Sequence, residues 1–78
     1  MMKILLVEDD IMLNEMITEY LTSTGHAIIS AKTGLQSLEI LEKEKFDLLI
    51  LDINLPDIDG FTILEKMHEQ KRMIPTIY

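Results

Sequence analysis

The segment Leu48-Leu49-Ile50-Leu51-Asp52 is an apolar run that ends in a carboxylate. An earlier apolar run, Ile4-Leu5-Leu6-Val7, also ends in carboxylates, those of Glu8 and Asp9. Short continuous apolar runs of this kind are typical of parallel strands that are covered on both faces of a sheet. If the two strands are neighbours, their acidic ends meet at the carboxyl edge, where open α/β sheets bind their ligands.

Three carboxylates brought to one place repel one another. Two like charges about 4 Å apart repel by about 4 kcal/mol at an effective dielectric of about 20. A cation between them would remove that cost, and oxygen ligands at a water-accessible edge suit Mg²⁺, which binds one or two carboxylates together with waters and a phosphate. The sequence therefore predicts a site for Mg²⁺ and a phosphoryl group.

Composition limits the other classes of function. The 78 residues allow one domain, and 47% hydrophobic with 27% charged residues is ordinary for a globular protein. A net charge of −7 with seven Lys and Arg argues against a nucleic-acid surface in this segment, although a DNA-binding output domain could follow in a longer parent. The sequence contains no cysteine, which excludes disulfides and thiolate metal sites.

The start of the chain is not expected to be a targeting segment. Residues 1–7 are mostly apolar, but acids follow at once and there is no small-residue cleavage site. No apolar stretch approaches the length of about 18 residues that a membrane helix needs. We therefore expect a cytoplasmic protein that makes no membrane contact.

Hydrophobic periodicity predicts alternating strands and helices. The first strand is Lys3 to Val7, and a helix follows from Ile11, with Asp10 as its N-cap and Gly25 as its C′ residue. The spacing of five apolar residues predicts the buried face of this helix: Leu13, Met16, Ile17, Tyr20 and Leu21.

The second half of the chain continues the alternation. A second strand is predicted over residues 26–31, and Thr33 with Gln36 forms a capping-box pattern that opens a second helix. The third strand is predicted over residues 46–51. The remaining predicted features are the inward residues of the second helix (Leu35, Leu38, Leu41), a loop over 54–60, a third helix from Phe61 to Lys71 with Phe61, Leu64 and Met67 inward, and a fourth strand from Ile74 to Tyr78.

This βαβαβαβ order predicts an α/β fold with a doubly wound parallel sheet and right-handed crossovers. The carboxylates of Glu8, Asp9 and Asp52 meet if the first and third strands are neighbours. The second strand then lies on the other side of the first, which gives the strand order 2-1-3-4.

Together these features resemble the receiver domain of bacterial two-component response regulators, the CheY-like family. The resemblance rests on the acidic pair Glu8 and Asp9, on Asp52, and on Pro56 and Gly60, which follow Asp52 by four and eight residues. It covers residues 1–78, as part of a flavodoxin-like receiver domain truncated within the fourth strand.

The resemblance implies a role for each residue of the site. Asp52 would be the phosphoryl acceptor, taking the group from a sensor histidine kinase. Asp9 and Asp52 would bind Mg²⁺ through side-chain oxygens, Asn54 through its backbone carbonyl, and Glu8 mainly through water. The chain would act as a signalling switch rather than as an enzyme.

The family pattern also includes a Ser or Thr after the fourth strand, a fifth strand with a Lys and an aromatic residue, and two further helices. Without these elements, the edge of the fourth strand and part of one sheet face are expected to be exposed. We therefore expect a homodimer that forms through this edge or by exchange of elements.

Two alternatives remain open. The chain could be an interaction module that dimerises without being phosphorylated. It could also be a phosphotransferase similar to the haloacid dehalogenases, which use a strand-end Asp nucleophile with Mg²⁺. That family has a second Asp two residues later, where this sequence has Asn54.

Overall fold

Four strands alternate with three helices in residues 1–70 and 73–78, which are the residues that the computed structural model describes. The elements are β1 (Lys3–Val7), α1 (Ile11–Ser23), β2 (Ala27–Ala31), α2 (Gly34–Lys43), β3 (Leu48–Leu51), α3 (Gly60–Glu69) and β4 (Thr76–Ile77). The predicted alternation is confirmed. The predicted end of the third helix, Lys71, lies outside the described residues. No helix in the described ranges is long and apolar enough to cross a membrane.

The four strands form one parallel sheet in the order β2-β1-β3-β4, as predicted. In the central pair, Ile4 lies opposite Leu48 and Val7 lies opposite Leu51. On the other side of β1, Val7 is opposite Ala31. The strands that carry the acids are therefore direct neighbours in register, and each acid follows the last pair of its strand.

Apolar side chains of the two central strands form the middle of the core. Leu5, Val7, Leu49 and Leu51 are almost completely buried. Helices and loops add further buried side chains: Ala31, Leu41, Phe46, Leu55, Ile63 and Met67. Each fully buried aliphatic side chain contributes about 1.5–3 kcal/mol to folding, so this cluster holds the acid-bearing strand ends in place.

Local signals at the helix ends act largely as predicted. Asp10 caps α1, because its Oδ1 accepts a hydrogen bond from the Leu13 N–H over 3.1 Å. Thr33 caps α2 in the same way, accepting from the Gln36 N–H over 3.1 Å. Gly25, after the end of α1, has a left-handed φ of +93°. In a capping box the Gln36 side chain would accept from the N–H of the N-cap, Thr33. Here it accepts from the Lys32 N–H, one residue earlier.

The buried face of α1 differs from the prediction. Asn14 is 2% exposed, whereas Leu13, Met16 and Tyr20 are 41%, 64% and 68% exposed. Ile17 and Leu21 are half-buried, so only this part of the predicted face was correct. The helix is turned so that the Asn14 side chain reaches the end of β1, where it donates to the Glu8 carbonyl oxygen.

Two smaller predictions of inward residues were wrong. Leu35 and Phe61 are exposed, whereas Met67 is buried and Leu64 half-buried as predicted, and Ile63 is a further buried residue of α3. The buried residues of α2 are Gly34, Ser37 and Leu41, and those of α3 are Gly60, Ile63 and Met67. Leu35 and Phe61 each follow the first buried residue by one position, about 100° around the helix, and so lie off the buried face.

The observed strands are shorter than predicted. Residues His26, Phe46, Asp47, Ile74, Pro75 and Tyr78 lie outside them. Phe46 is nevertheless buried, and the Asp47 N–H donates to the Lys3 carbonyl oxygen over 2.7 Å, so pairing beside β1 continues before β3 formally begins.

One outer edge of the sheet belongs to β4. This strand pairs with β3 at Leu49–Thr76 and Ile50–Ile77, and within residues 1–70 and 73–78 no strand lies on its other side. Ile77 and Tyr78 are exposed at this edge. The exposed edge was expected and is present, whereas the exposed apolar side chains on α1 had been predicted to be buried.

Candidate functional site

The carboxyl edge of the two central strands gathers the three predicted acids. Oxygen atoms of Glu8, Asp9 and Asp52 all lie within 4.8 Å of one another. Backbone hydrogen bonds fix the strand ends, because the Asp52 N–H donates to the Val7 carbonyl over 2.9 Å and the Glu8 N–H donates to that of Ala31 over 3.0 Å. Asp9 is exposed, whereas Glu8 and Asp52 are half-buried. We refer to these three residues as the acidic cluster.

The charge of the cluster is not balanced. Burial raises the pKa of Glu8 above its usual value, and the neighbouring Asp52 raises it further. A hydrogen bond from the Asp10 N–H to Glu8 Oε2, 3.1 Å long, acts in the opposite direction but does not cancel the effect. A raised carboxyl pKa means that ionisation is costly here, so a cation at this position would be stabilised.

The donor atoms suit a hard divalent cation. Three carboxylates at an accessible edge offer oxygen ligands without sulfur or imidazole, which is the ligand type that Mg²⁺ prefers. Two of the three are partly exposed rather than enclosed, so water and a phosphoryl group could complete the coordination. The side chains present therefore fit Mg²⁺.

Asn54, the fourth predicted ligand, lies beside the cluster. Its N–H donates a hydrogen bond of 3.0 Å to Asp52 Oδ1, which turns the backbone after β3 back toward that carboxylate. The side chain of Asn54 is exposed, and the role of its backbone carbonyl as a ligand stays a prediction.

The loop after Asp52 is held close to the end of β3. The Gly60 N–H donates to the Ile53 carbonyl over 3.0 Å. A Cβ atom on Gly60 would lie 2.7 Å from the Ile53 Cα and 3.2 Å from the Asp52 carbonyl oxygen, so only glycine permits α3 to begin at this point. Asp59 caps α3, accepting from the Phe61 N–H over 2.8 Å. Leu55 anchors the middle of the loop in the core.

Sequence reasoning missed Asn14, whose side chain bonds the backbone of Glu8 in the acidic cluster. Its Nδ2 donates to the Glu8 carbonyl oxygen over 3.0 Å, and its Oδ1 accepts from Thr18 Oγ1 over 3.3 Å. The sequence analysis did not include Asn14 in the buried face of the helix. Its position in the second turn of a helix, where asparagine is unfavourable, was the signal that could have marked it.

Asp57 is a second residue whose contacts the sequence analysis did not predict. Its two carboxylate oxygens accept hydrogen bonds of 2.9 Å each from the N–H groups of Gly34 and Leu35, at the start of α2. The bond from Leu35, followed by that from Gly34, holds the pKa of Asp57 below its usual value. The sequence identified only a Pro-Gly loop here.

Comparisons with known proteins agree with this geometry. The family model of the response regulator receiver domain matches residues 4–78. A probable transcriptional regulator, ycf29 of Porphyra purpurea, is 40% identical over 77 residues, which is 96% of this chain and 37% of that protein. The chain spans roughly a third of the length of the curated relatives it matches.

Solved structures show the same fold. The chemotaxis response regulator CheY4 of Vibrio cholerae superimposes with a TM-score of 0.88 at 31% identity, over 97% of this chain and 65% of CheY4. The response regulator TrrA of Thermotoga maritima, solved in complex with Mg²⁺ and BeF, gives 0.85 at 30% identity, over 100% of this chain and 71% of TrrA. TrrA has also been solved with the histidine kinase ThkA, with a TM-score of 0.87 at 30% identity, covering 97% and 66%.

The chain therefore belongs to the response regulator receiver domain family. Its sheet order and its three helices are those of a flavodoxin-like receiver fold. Membership in this family favours the receiver interpretation over the phosphotransferase one.

Proposed function

We propose that Asp52 is the phosphoryl acceptor of this receiver domain, and that it acts with Mg²⁺ held at the acidic cluster. The observation that carries the proposal is the convergence of the Glu8, Asp9 and Asp52 oxygens within 4.8 Å at the ends of two neighbouring strands. The Mg²⁺ and BeF complex of TrrA supports the choice of cation.

The proposed reaction is a phosphoryl transfer. A carboxylate oxygen of Asp52 attacks the phosphorus of a phosphorylated histidine, a P–O bond forms, the P–N bond breaks, and the imidazole nitrogen regains a proton. The product is an aspartyl phosphate on Asp52. Asp9 and Asp52 would hold Mg²⁺ through side-chain oxygens, Glu8 through water and Asn54 through its carbonyl, and the cation would neutralise the acceptor and the incoming oxygens.

The residues around Asp52 have separate parts in this scheme. The Asn54 N–H donates to Oδ1 of Asp52 and so holds the acceptor carboxylate beside the loop that follows β3. Burial, and then the neighbouring Asp52, raise the pKa of Glu8, so the negative charge of the cluster is unfavourable until a cation binds. That charge would draw a divalent cation into the site ahead of the phosphoryl group.

The proposed partner is a sensor histidine kinase, and the exchange would take place in the cytoplasm. The support is the complex of the related TrrA with ThkA. In a longer parent, residues 1–78 would be the first part of the receiver domain, followed by an output domain that could bind DNA. The relatives described as transcriptional regulators support such an output.

Self-association is a second proposed property. Leu13, Met16 and Tyr20 on α1 are exposed, and the outer edge of β4 ends in exposed Ile77 and Tyr78. Contact between two copies through this edge, or by exchange of elements, would cover such surfaces. These same surfaces favour the alternative in which the chain is an interaction module that dimerises without phosphorylation.

Treatment with acetyl phosphate and Mg²⁺ tests the acceptor role directly. Intact-mass spectrometry should show the addition of one phosphoryl group to the 78-residue chain, and its loss in D52N. D47N is the matched control, because Asp47 lies at the opposite end of β3 and bonds the Lys3 N–H. Loss of the adduct in both variants, or its persistence in D52N, would contradict the proposal. A folded chain that is never phosphorylated would favour the interaction module.

A further inference from the structure

We propose that Asp57 is a positioning residue that connects the loop after Asp52 to the start of α2, so that cation binding at the acidic cluster is sensed at Gly34 and Leu35. This inference rests on the proposed Mg²⁺ site and adds a residue that acts on it from outside. The carboxylate of Asp57 touches neither the cluster nor its expected ligand atoms, so its role is positioning rather than catalysis.

The contact between Asp57 and α2 is specific in its geometry. One carboxylate oxygen accepts from the Gly34 N–H and the other from the Leu35 N–H, each over 2.9 Å. These are the first two N–H groups of a helix, which have no partner within the helix itself. Thr33 provides a local acceptor for the Gln36 N–H. The acceptor for the N–H groups at the start of the helix comes instead from Asp57, in a loop more than 20 residues away.

Packing holds the same two segments together. A Cβ atom on Gly34 would collide with the side chain of Ile58 and would lie 3.3 Å from Asp57 Oδ1. Gly34 is buried and Ile58 is half-buried against the core. The loop therefore lies directly on the first turn of α2, with no room for a side chain between them.

The loop is attached to the acidic cluster at its other end. The Asn54 N–H bonds Asp52 Oδ1, and the Gly60 N–H bonds the Ile53 carbonyl. The loop is thus bonded to Asp52 at Asn54, closed on itself between Ile53 and Gly60, and bonded to α2 at Asp57. A cation that draws in the Asn54 carbonyl would pull on a short segment whose next anchors are the buried Leu55 and then Asp57, and the displacement would reach the Gly34 and Leu35 amides through Asp57.

Charge strengthens this connection. A carboxylate at a helix N-terminus is favoured by the helix dipole, and hydrogen bonds to an ionised acceptor are roughly twice as strong as neutral ones. An amide side chain at position 57 has one acceptor oxygen for two N–H donors, so it would hold α2 less firmly.

A Mg²⁺ titration followed by two-dimensional ¹H–¹⁵N NMR of the 78-residue chain tests the inference. In the wild type, the Gly34 and Leu35 amides should shift together with those of Asp52 and Asn54 and saturate at the same Mg²⁺ concentration. In D57N, the Gly34 and Leu35 response should disappear, and Mg²⁺ should bind about tenfold more weakly, the low end of the loss for outer-shell positioning groups.

D59N is the matched control. It removes the same charge from the same loop, and asparagine remains a good N-cap for α3. Its Mg²⁺ affinity and its Gly34 response should stay close to those of the wild type.

The outcomes separate the two proposals. If the wild type shows no Mg²⁺ response at Asp52 and Asn54, the proposed metal site fails and this inference fails with it. If Mg²⁺ binds but Gly34 and Leu35 are unaffected, or if D57N and D59N lose affinity equally, only the positioning role of Asp57 is overturned. The wild-type titration decides the question by itself should D57N fail to fold.

Discussion

The side-chain amide of Asn14 donates a hydrogen bond of 3.0 Å to the carbonyl oxygen of Glu8, beneath the acidic cluster. Asn14 is buried in α1 and its second polar atom accepts from Thr18. The end of β1 and the first turns of α1 are thus joined by a contact that neither element could make alone.

Replacing Asn14 should destabilise the protein through this contact. N14L keeps the approximate volume but leaves the Glu8 carbonyl without this donor, which should lower the free energy of unfolding by about 1–3 kcal/mol. Urea denaturation measures the change. T18V removes only the longer bond to Asn14 Oδ1 and should cost less, so an equal loss in both variants would contradict this account.

Removing one charge from the acidic cluster should stabilise the protein when Mg²⁺ is absent. D52N keeps an oxygen for the Asn54 N–H while it relieves the repulsion of Glu8, a gain of about 1 kcal/mol for charges 4 Å apart in water. Thermal unfolding should show D52N more stable in EDTA, and the difference should shrink or reverse in excess Mg²⁺. If the stability difference between D52N and wild type is the same in EDTA and in excess Mg²⁺, that result would argue against a cation at the cluster.

Stability should depend on pH through Asp57. Its pKa is lower in the folded state than in the unfolded chain, so its contribution is present at neutral pH and is lost as the pH falls below about 4 through the lower folded value. The stability difference between wild type and D57N should therefore be largest near neutral pH and should decrease in acid. Urea midpoints measured across this range provide the check. A stability difference that grows in acid would contradict a lowered pKa of Asp57 in the folded state.

Gly60 should tolerate no side chain. G60A would place a Cβ 2.7 Å from the Ile53 Cα, and we expect a loss of about 1–3 kcal/mol from overpacking together with a weaker Mg²⁺ response, because the Asp52 carbonyl lies next to the clash. G25A is the control: its cost of about 1–2 kcal/mol comes from the positive φ alone, with nothing within 4 Å of the added atom. G25A should keep the Mg²⁺ response of the wild type.

Exposed residues of α1 and of the β4 edge should govern self-association. M16K changes an exposed side chain, so it should leave folding almost unchanged and weaken a dimer that uses α1. I77K addresses the β4 edge in the same way. Sedimentation equilibrium of wild type and both variants distinguishes the two surfaces, and a wild type that is monomeric at all concentrations would rule out the dimer.

Local chemistry made part of this structure predictable. Asp10, Thr33 and Gly25 act at helix ends through bonds or dihedral angles within a few residues, so sequence alone identified them. The acidic cluster was predictable because parallel strands end at one edge of a sheet and the acids follow directly after the apolar runs.

Contacts between distant segments were not predictable in the same way. The rotation of α1, which exposes Met16 and Tyr20 and buries Asn14, depends on where the Glu8 carbonyl lies once the sheet has formed. The partners of Asp57 belong to another helix, and nothing in a loop sequence identifies which helix a carboxylate will reach. Periodicity gives the presence of a helix, but its phase is set by tertiary contacts.

The register of β1 against β3 also has a consequence for how the protein folds. Glu8 and Asp9 meet Asp52 only after the intervening strand and both crossover helices have been placed, so the cluster forms through contacts that are distant in sequence. An unfolded chain has no such arrangement, so a cation that binds there binds only the native state. Mg²⁺ would then raise the free energy of unfolding by RT ln(1 + [Mg²⁺]/Kd), so the register of β1 against β3 makes the midpoint of thermal unfolding depend on the Mg²⁺ concentration.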